Sequence, residues 1–176
     1  MKKLLLIIAL IVVALMALYF ATSSSTQVVQ NQSGGSKPDP TNATYVVEGE
    51  KVTFKNGLNN TEEQDGLTME SRVLETIAYG DLNADGEEDA LALIAQSGGG
   101  SGTFVYVVVY VSGPVKYNGS NAIFLGDRIS PQSLSVKNGV ATVKYLDRKE
   151  DEPFSAEPTV STTKQLVYKS GELAEK

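Results

Sequence analysis

The stretch "TFVYVVVYV", Thr103 to Val111, decides the fold. As a strand it places Phe104, Tyr106, Val108 and Tyr110 on one side and Val105, Val107, Val109 and Val111 on the other. Both sides are apolar. A strand of this kind belongs at the centre of a sheet covered on both faces. A row of tyrosines could alternatively form a stacking platform for a ligand, but the core reading explains the valines as well.

Outward from this stretch, short β-branched and aromatic runs alternate with Asn-Gly, Gly-rich and Pro-containing breaks. The runs that read as strands are "TYVV", "KVTFK", "MESRVLETIA", "ALALIA", "AIFL", "QSLSVK", "VATVKYL" and "KQLVYK". Met69–Ala78 also carries residues that suit a helix. The pattern predicts a mainly β fold, a single antiparallel β-sheet or sandwich-like domain over residues 43–176. No period of 20 to 50 residues is present, which argues against a solenoid or propeller built from this chain alone.

Asn138-Gly139 predicts a two-residue type I′ turn. Val136 would then face Ala141, Leu134 would face Val143 and Gln132 would face Tyr145. Leu134, Val136, Ala141, Val143 and Tyr145 then fall on one side of the hairpin, with Ser133, Ser135, Lys137, Thr142 and Lys144 on the other together with Val140.

The N-terminal "MKK" precedes 18 uninterrupted apolar residues, Leu4 to Ala21. At 1.5 Å per residue such a helix reaches about 27 Å, enough to span the hydrocarbon of a bilayer. Residues 1–21 are therefore expected to be a signal-anchor helix with Lys2 and Lys3 on the cytoplasmic side, leaving the rest outside. Cleavage after Ser23, with Ala21 at position −3, would give a secreted form instead. Residues 22–42, polar and broken by Pro38 and Pro40, read as a flexible linker. Its roughly 20 residues would reach about 25 Å. Beyond Lys2 and Lys3 there are 13 basic against 21 acidic residues, a net charge of −8. That balance disfavours nucleic acid and anionic lipid as partners and attracts cations.

The chain contains no cysteine and no histidine. Disulfides, an acylated cysteine anchor, Ser-His-Asp and Cys-His catalysis and His-ligated zinc are all excluded. A carboxylate-dependent hydrolase is the enzymatic alternative left, but no pair of acids stands out for it. The expectation is a non-enzymatic module, either a tethered binding or adhesion domain with a protein or glycan ligand or a structural or regulatory component of a cell-envelope assembly.

One segment carries a specific chemistry. "YGDLNADGEEDALALI" places Asp81, Asn83, Asp85, Gly86, Glu87 and Asp89 at positions 1, 3, 5, 6, 7 and 9 of a loop. In a calcium loop, side chains at 1, 3 and 5 point inward, glycine at 6 permits the sharp turn, position 7 gives its carbonyl, and 9 closes the site. The candidate ligands of a structural Ca²⁺ are therefore Asp81, Asn83, Asp85, Glu87 and Asp89. Position 12 is Ala92, so the bidentate glutamate of an EF-hand is missing. A metal-free turn, in which Asp and Asn cap their own backbone, is the alternative.

The loop resembles the strand-loop-strand calcium loops of FG-GAP repeats, and its first half resembles dockerin loops; the single copy does not imply a propeller. Together with "SGGGSGTFVYV" (Ser97 to Val107), "NAIFLGDRISPQ" (Asn121 to Gln132) and "EPFSAEPTV" (Glu152 to Val160), it also resembles an uncharacterised family of bacterial envelope proteins. That resemblance implies one extracytoplasmic β-rich domain and no particular activity. Within these motifs "SGGGSG" reads as a hairpin loop, since it lacks the Lys-[Ser/Thr] ending of a phosphate loop. Asp127 and Arg128 read as an internal ion pair, and "DRKEDE", Asp147 to Glu152, as a solvated bend.

Overall fold

The computed structural model of the chain describes residues 37–62 and 66–176. The chain divides into two units, Met1–Gly35 and Ser36–Lys176, and the account below concerns the second. The expected signal-anchor helix and most of the linker lie outside the described residues. Among those described, no helix is long and apolar enough to cross a membrane.

The described unit is mainly β, and its strand pairs are antiparallel. The only regular helical element among the described residues is a 3-10 turn, Pro40–Asn42, whose N-cap Asp39 accepts from Thr41 N–H. Thirteen strands follow: β1 (Thr44–Val47), β2 (Glu50–Thr53), β3 (Leu58–Glu62), β4 (Thr68–Val73), β5 (Ala78–Gly80), β6 (Asp89–Ser97), β7 (Phe104–Val111), β8 (Asn118–Gly119), β9 (Ile123–Asp127), β10 (Ser130–Lys137), β11 (Val140–Asp147), β12 (Val160–Lys169) and β13 (Glu172–Glu175). They form three sheets rather than one. β1 and β2 make a hairpin; β3-β4-β6-β7-β8, with β5 on β6 and β9 on β7, make seven strands; β10-β11-β12-β13 make four.

The double-sided apolarity of β6 and β7 follows from this arrangement. On one face, Leu91, Leu93, Val105, Val107 and Val109 pack with Ala141, Val143, Tyr145 and Leu166 of the four-stranded sheet. On the other, Ala92, Ile94, Tyr106 and Val108 pack with Tyr45 and Val47 of the hairpin and with Phe54. Each fully buried aliphatic or aromatic side chain contributes about 1.5–3 kcal/mol, so the two cores together outweigh any surface pairing.

β4 and β5 are two pieces of one strand line along β6. Val73 pairs with Ile94 and Ala78 with Leu91, so five steps on one side match three on the other. The expected continuous strand Met69–Ala78 is therefore broken near Glu75 and Thr76, both exposed. On the other edge of β6, the Gly-rich segment turns directly into β7 as a hairpin.

The Asn138-Gly139 turn has positive φ at both residues, 51° and 71°, as type I′ requires. Val136 faces Ala141 and Leu134 faces Val143, as the spacing predicts. Tyr145 instead faces Pro131, because the register shifts between Pro131 and Ser133 and Gln132 falls in the bulge. Proline has no N–H for the ladder, and a bulge is how a strand accommodates it.

Residues Lys37–Asn42, expected at the end of the linker, pack against the domain. Pro38 and Pro40 are buried, the Tyr45 hydroxyl donates to the Pro40 carbonyl (3.0 Å), and the Lys37 ammonium lies 4.5 Å above the Tyr79 ring.

Candidate functional site

The aspartate loop joins β5 to β6, so it leaves and re-enters the central sheet within eight residues. Gly80 brings it close to the four-stranded sheet: a Cβ there would lie 2.8 Å from Val136 Cγ1. Glycine before Asp81 is thus a packing requirement. Gly86, at φ +86°, supplies the sharp turn expected of position 6. Ala84 has φ +64°, a left-handed conformation that costs an L-residue about 1–2 kcal/mol.

The carboxylates hold this backbone. Asp81 accepts from Ala84 N–H (2.6 Å) and Gly86 N–H (3.0 Å), one on each oxygen. Asn83 Oδ1 accepts from Asp85 N–H (3.0 Å), and Asp85 Oδ1 accepts from Glu87 N–H (2.9 Å). Asp85 Oδ2 takes the Asn83 amide (2.8 Å) and a short bond from the Ser112 hydroxyl. The Ser112 hydroxyl is the first cause holding the Asp85 carboxyl below its ordinary value.

Asp89 differs from the other acids. It is fully buried, and its two oxygens accept from Leu82 N–H (2.7 Å) and Ser112 N–H (2.8 Å). Burial pushes its pKa up, and the two amide donors oppose that shift. Its side chain therefore links the start of the loop to the residue after β7. Glu87 is exposed.

For a calcium ion the donor chemistry fits: carboxylate and amide oxygens that each accept one N–H retain a further lone pair. Among the described residues no three His, Cys, Asp or Glu side chains group as a metal set. Asp81, Asn83 and Asp85 lie on one turn, whereas Asp89 is fully buried, with one amide on each oxygen.

Two grooves flank the loop. One, about 390 Å³, lies between Asp81 and Ala84 and the β10–β11 turn at Val136–Gly139, so the loop and the Asn-Gly turn meet. The other, about 480 Å³, is lined by Thr44, Lys51, Thr53, Tyr110, Tyr117 and Lys116, with Asn118 and Gly119 at its edge. That volume is within the range of small-ligand sites. Tyr110 and Tyr117 stack at 5.3 Å between centroids. The Tyr117 hydroxyl donates to the Glu88 carbonyl (3.1 Å), which ties this groove to the aspartate loop. Gly119 is held there by close approach, since a Cβ would sit 2.1 Å from the Thr44 carbonyl oxygen.

Sequence reasoning found the loop but missed Ser112, Tyr117 and Lys51. They lie 23 or more residues from Asp89 or on a different hairpin; the pairing of β6 with β7 and of β7 with β8 brings Ser112 and Tyr117 near, and the β1–β2 hairpin, bonded through Val46 to Ser120 and Ala122, brings Lys51. The Asp127–Arg128 pair is present, with Arg128 Nη2 2.7 Å from Asp127 Oδ2 and the guanidinium 4.5 Å from the Phe154 ring centroid. The "LGDR" and "EPFSAEPT" motifs therefore meet at one corner. Arg148 adds bonds to the Ala156 and Asp127 carbonyls there (2.6 and 3.0 Å).

Comparison with known proteins finds no matching family model, curated protein or solved structure, so the roles of these residues rest on the chain's own geometry.

Proposed function

We propose that the chain is a membrane-anchored extracytoplasmic binding or adhesion module, of the bacterial envelope type that its motifs resemble, with no enzymatic activity. The apolar run after Lys2 and Lys3 supports the anchor and its orientation. The groove of Lys51, Tyr110, Lys116 and Tyr117 is the surface for a glycan or protein ligand. The aspartate loop beside it takes one structural Ca²⁺, held by Asp81, Asn83, Asp85 and the Glu87 carbonyl, with Asp89 bracing the loop from below. The ion supplies rigidity and charge neutralisation there.

The observation that carries this reading is the Tyr117–Glu88 hydrogen bond, because it makes the order of the loop an input to the shape of the groove. A glycan array probed with the full chain in calcium and in chelator tests it. Binding should fall on chelation and in Tyr117→Phe; binding indifferent to both would sink the reading. Protease applied to intact protoplasts should digest the domain, and protection would overturn the topology.

A second reading has its own support. Every carboxylate at positions 1, 5 and 9 already accepts amide donors, which a metal-free brace in a structural or regulatory envelope component would need. Co-purification with one envelope complex, unaffected by chelator, would favour it.

A further inference from the structure

The β1–β2 hairpin covers only part of the outer face of the seven-stranded sheet. Its turn begins at Glu48, and beyond that turn the sheet face carries a third groove of about 290 Å³ lined by Glu48, Met69, Gln96, Phe104, Tyr106 and Phe124. Phe104 and Phe124 are 39% and 49% exposed, an unusual cost for two neighbouring large rings. The Phe104 and Phe124 centroids are 6.4 Å apart with planes at 50°, and those of Tyr106 and Phe124 are 5.4 Å apart at 56°. The rings therefore pack in tilted pairs, and all three line the same groove.

Glu48 is the single charged residue of this lining. Its carboxylate accepts from the Tyr106 hydroxyl (2.6 Å) and pairs with no lysine or arginine among the described residues. Scattered apolar surface residues need no explanation, but three rings and a thioether joined to an unneutralised carboxylate form one chemical pattern. Aromatic faces carry negative quadrupole potential and attract cations, most strongly poorly hydrated organic ones. An anion would meet Glu48 as a like charge. A neutral ligand would desolvate that carboxylate without compensating it.

We propose that this groove binds an organic ammonium group, its alkyl substituents against the exposed rings of Phe104 and Phe124 and its charge facing Glu48, which the buried Tyr106 hydroxyl holds in place. The chain's net charge of −6 favours the approach of such a cation. The site is separate from the groove beside the aspartate loop, and neither depends on the other.

Calorimetric titration of the full chain in a non-ionic detergent tests the proposal with three probes: choline, Nα-acetyl-lysine amide and the neutral choline isostere 3,3-dimethylbutan-1-ol. One of the two cations should bind about tenfold or more tightly than the isostere, consistent with cation–π and ion-pair strengths at a half-exposed site. Choline binding alone identifies a quaternary ammonium site, and lysine-amide binding alone a primary one. Glu48→Gln, at an exposed side chain, should weaken binding several-fold while leaving the melting temperature within a degree or two, and Phe124→Ala should weaken binding several-fold in a protein that still folds. The proposal is overturned if neither cation binds, if the isostere binds as tightly as the cations, or if Glu48→Gln leaves a folded protein with undiminished affinity.

Discussion

Asp89 and Ser112 are joined across the mouth of the central hairpin: the Ser112 N–H donates to Asp89 Oδ1 at 2.8 Å while the other carboxylate oxygen holds Leu82 N–H. A buried acid with two backbone donors is a structural clamp. Asp89→Asn can accept only one of these bonds and turns an NH₂ toward the second donor. The expected loss is about 1–3 kcal/mol, the cost of an unsatisfied buried amide. A urea unfolding midpoint equal to that of the wild type would show that the clamp does not hold the loop.

Ala84 sits at φ +64°, where glycine carries no steric cost. Ala84→Gly should therefore stabilise the domain by about 0.5–1 kcal/mol, a gain reduced by the greater chain entropy of glycine in the unfolded state. Thermal unfolding reads it directly. A lower melting temperature would mean that the loop backbone relaxes in solution.

For the metal, the wild-type melting temperature should rise with calcium, by an amount equivalent to about 2.7 kcal/mol at 100 times the dissociation constant. Without a position-12 glutamate that constant should fall near 10⁻⁴ to 10⁻³ M, about the range of extracellular sites. Asp85→Ala should abolish the rise. Glu88→Ala should preserve it, because only the backbone carbonyl of Glu88 is engaged. Identical melting in chelator and in several millimolar calcium would eliminate the ion.

Gly139→Val is expected to cost about 1–3 kcal/mol through backbone strain alone. The nearest atom to an added Cβ is the Leu82 carbonyl oxygen at 3.9 Å, so crowding is not the cause. Gly139→Ala should show most of the same loss; an effect confined to the valine variant would point to sterics instead.

Asp127 supplies the pH dependence. The Arg128 guanidinium, with help from Thr103 N–H, holds its carboxyl below the ordinary value of 3.8. Because the folded state binds the proton less readily than the unfolded chain, the contribution is complete above pH 3.8 and fades as pH falls through the depressed value. Asp127→Asn should be less stable than wild type by about 1 kcal/mol at neutral pH, after allowance for solvent screening of a partly exposed pair. The two stability curves should converge below pH 3.8. Parallel curves would contradict the assignment.

The strands that could be recognised in advance were those whose side chains sort by burial. Val105 to Val111 and the Leu134–Val143 pairing are set by which residues must avoid water, and that pattern is written locally. β3, "LNNTE", has no such signature because it is a largely exposed edge strand, and β8 and β13 are too short to show a period. The aspartate loop was legible because its spacing is local. Its partner Ser112 was not, since only β6–β7 pairing brings that serine to Asp85 and Asp89. Nor could the sequence show that Phe104 and Phe124, on separate strands, would sit side by side beyond the end of a hairpin.

β6 and β7 contribute side chains to both hydrophobic clusters, so neither cluster can dissolve while the other keeps its full set of contacts. The described domain should consequently lose its structure in one cooperative transition. Amide protons of Leu91–Ile94 and Val105–Val109 should then exchange with solvent only through that global opening, while those of β3 and β13 exchange through local fraying at far lower free energy.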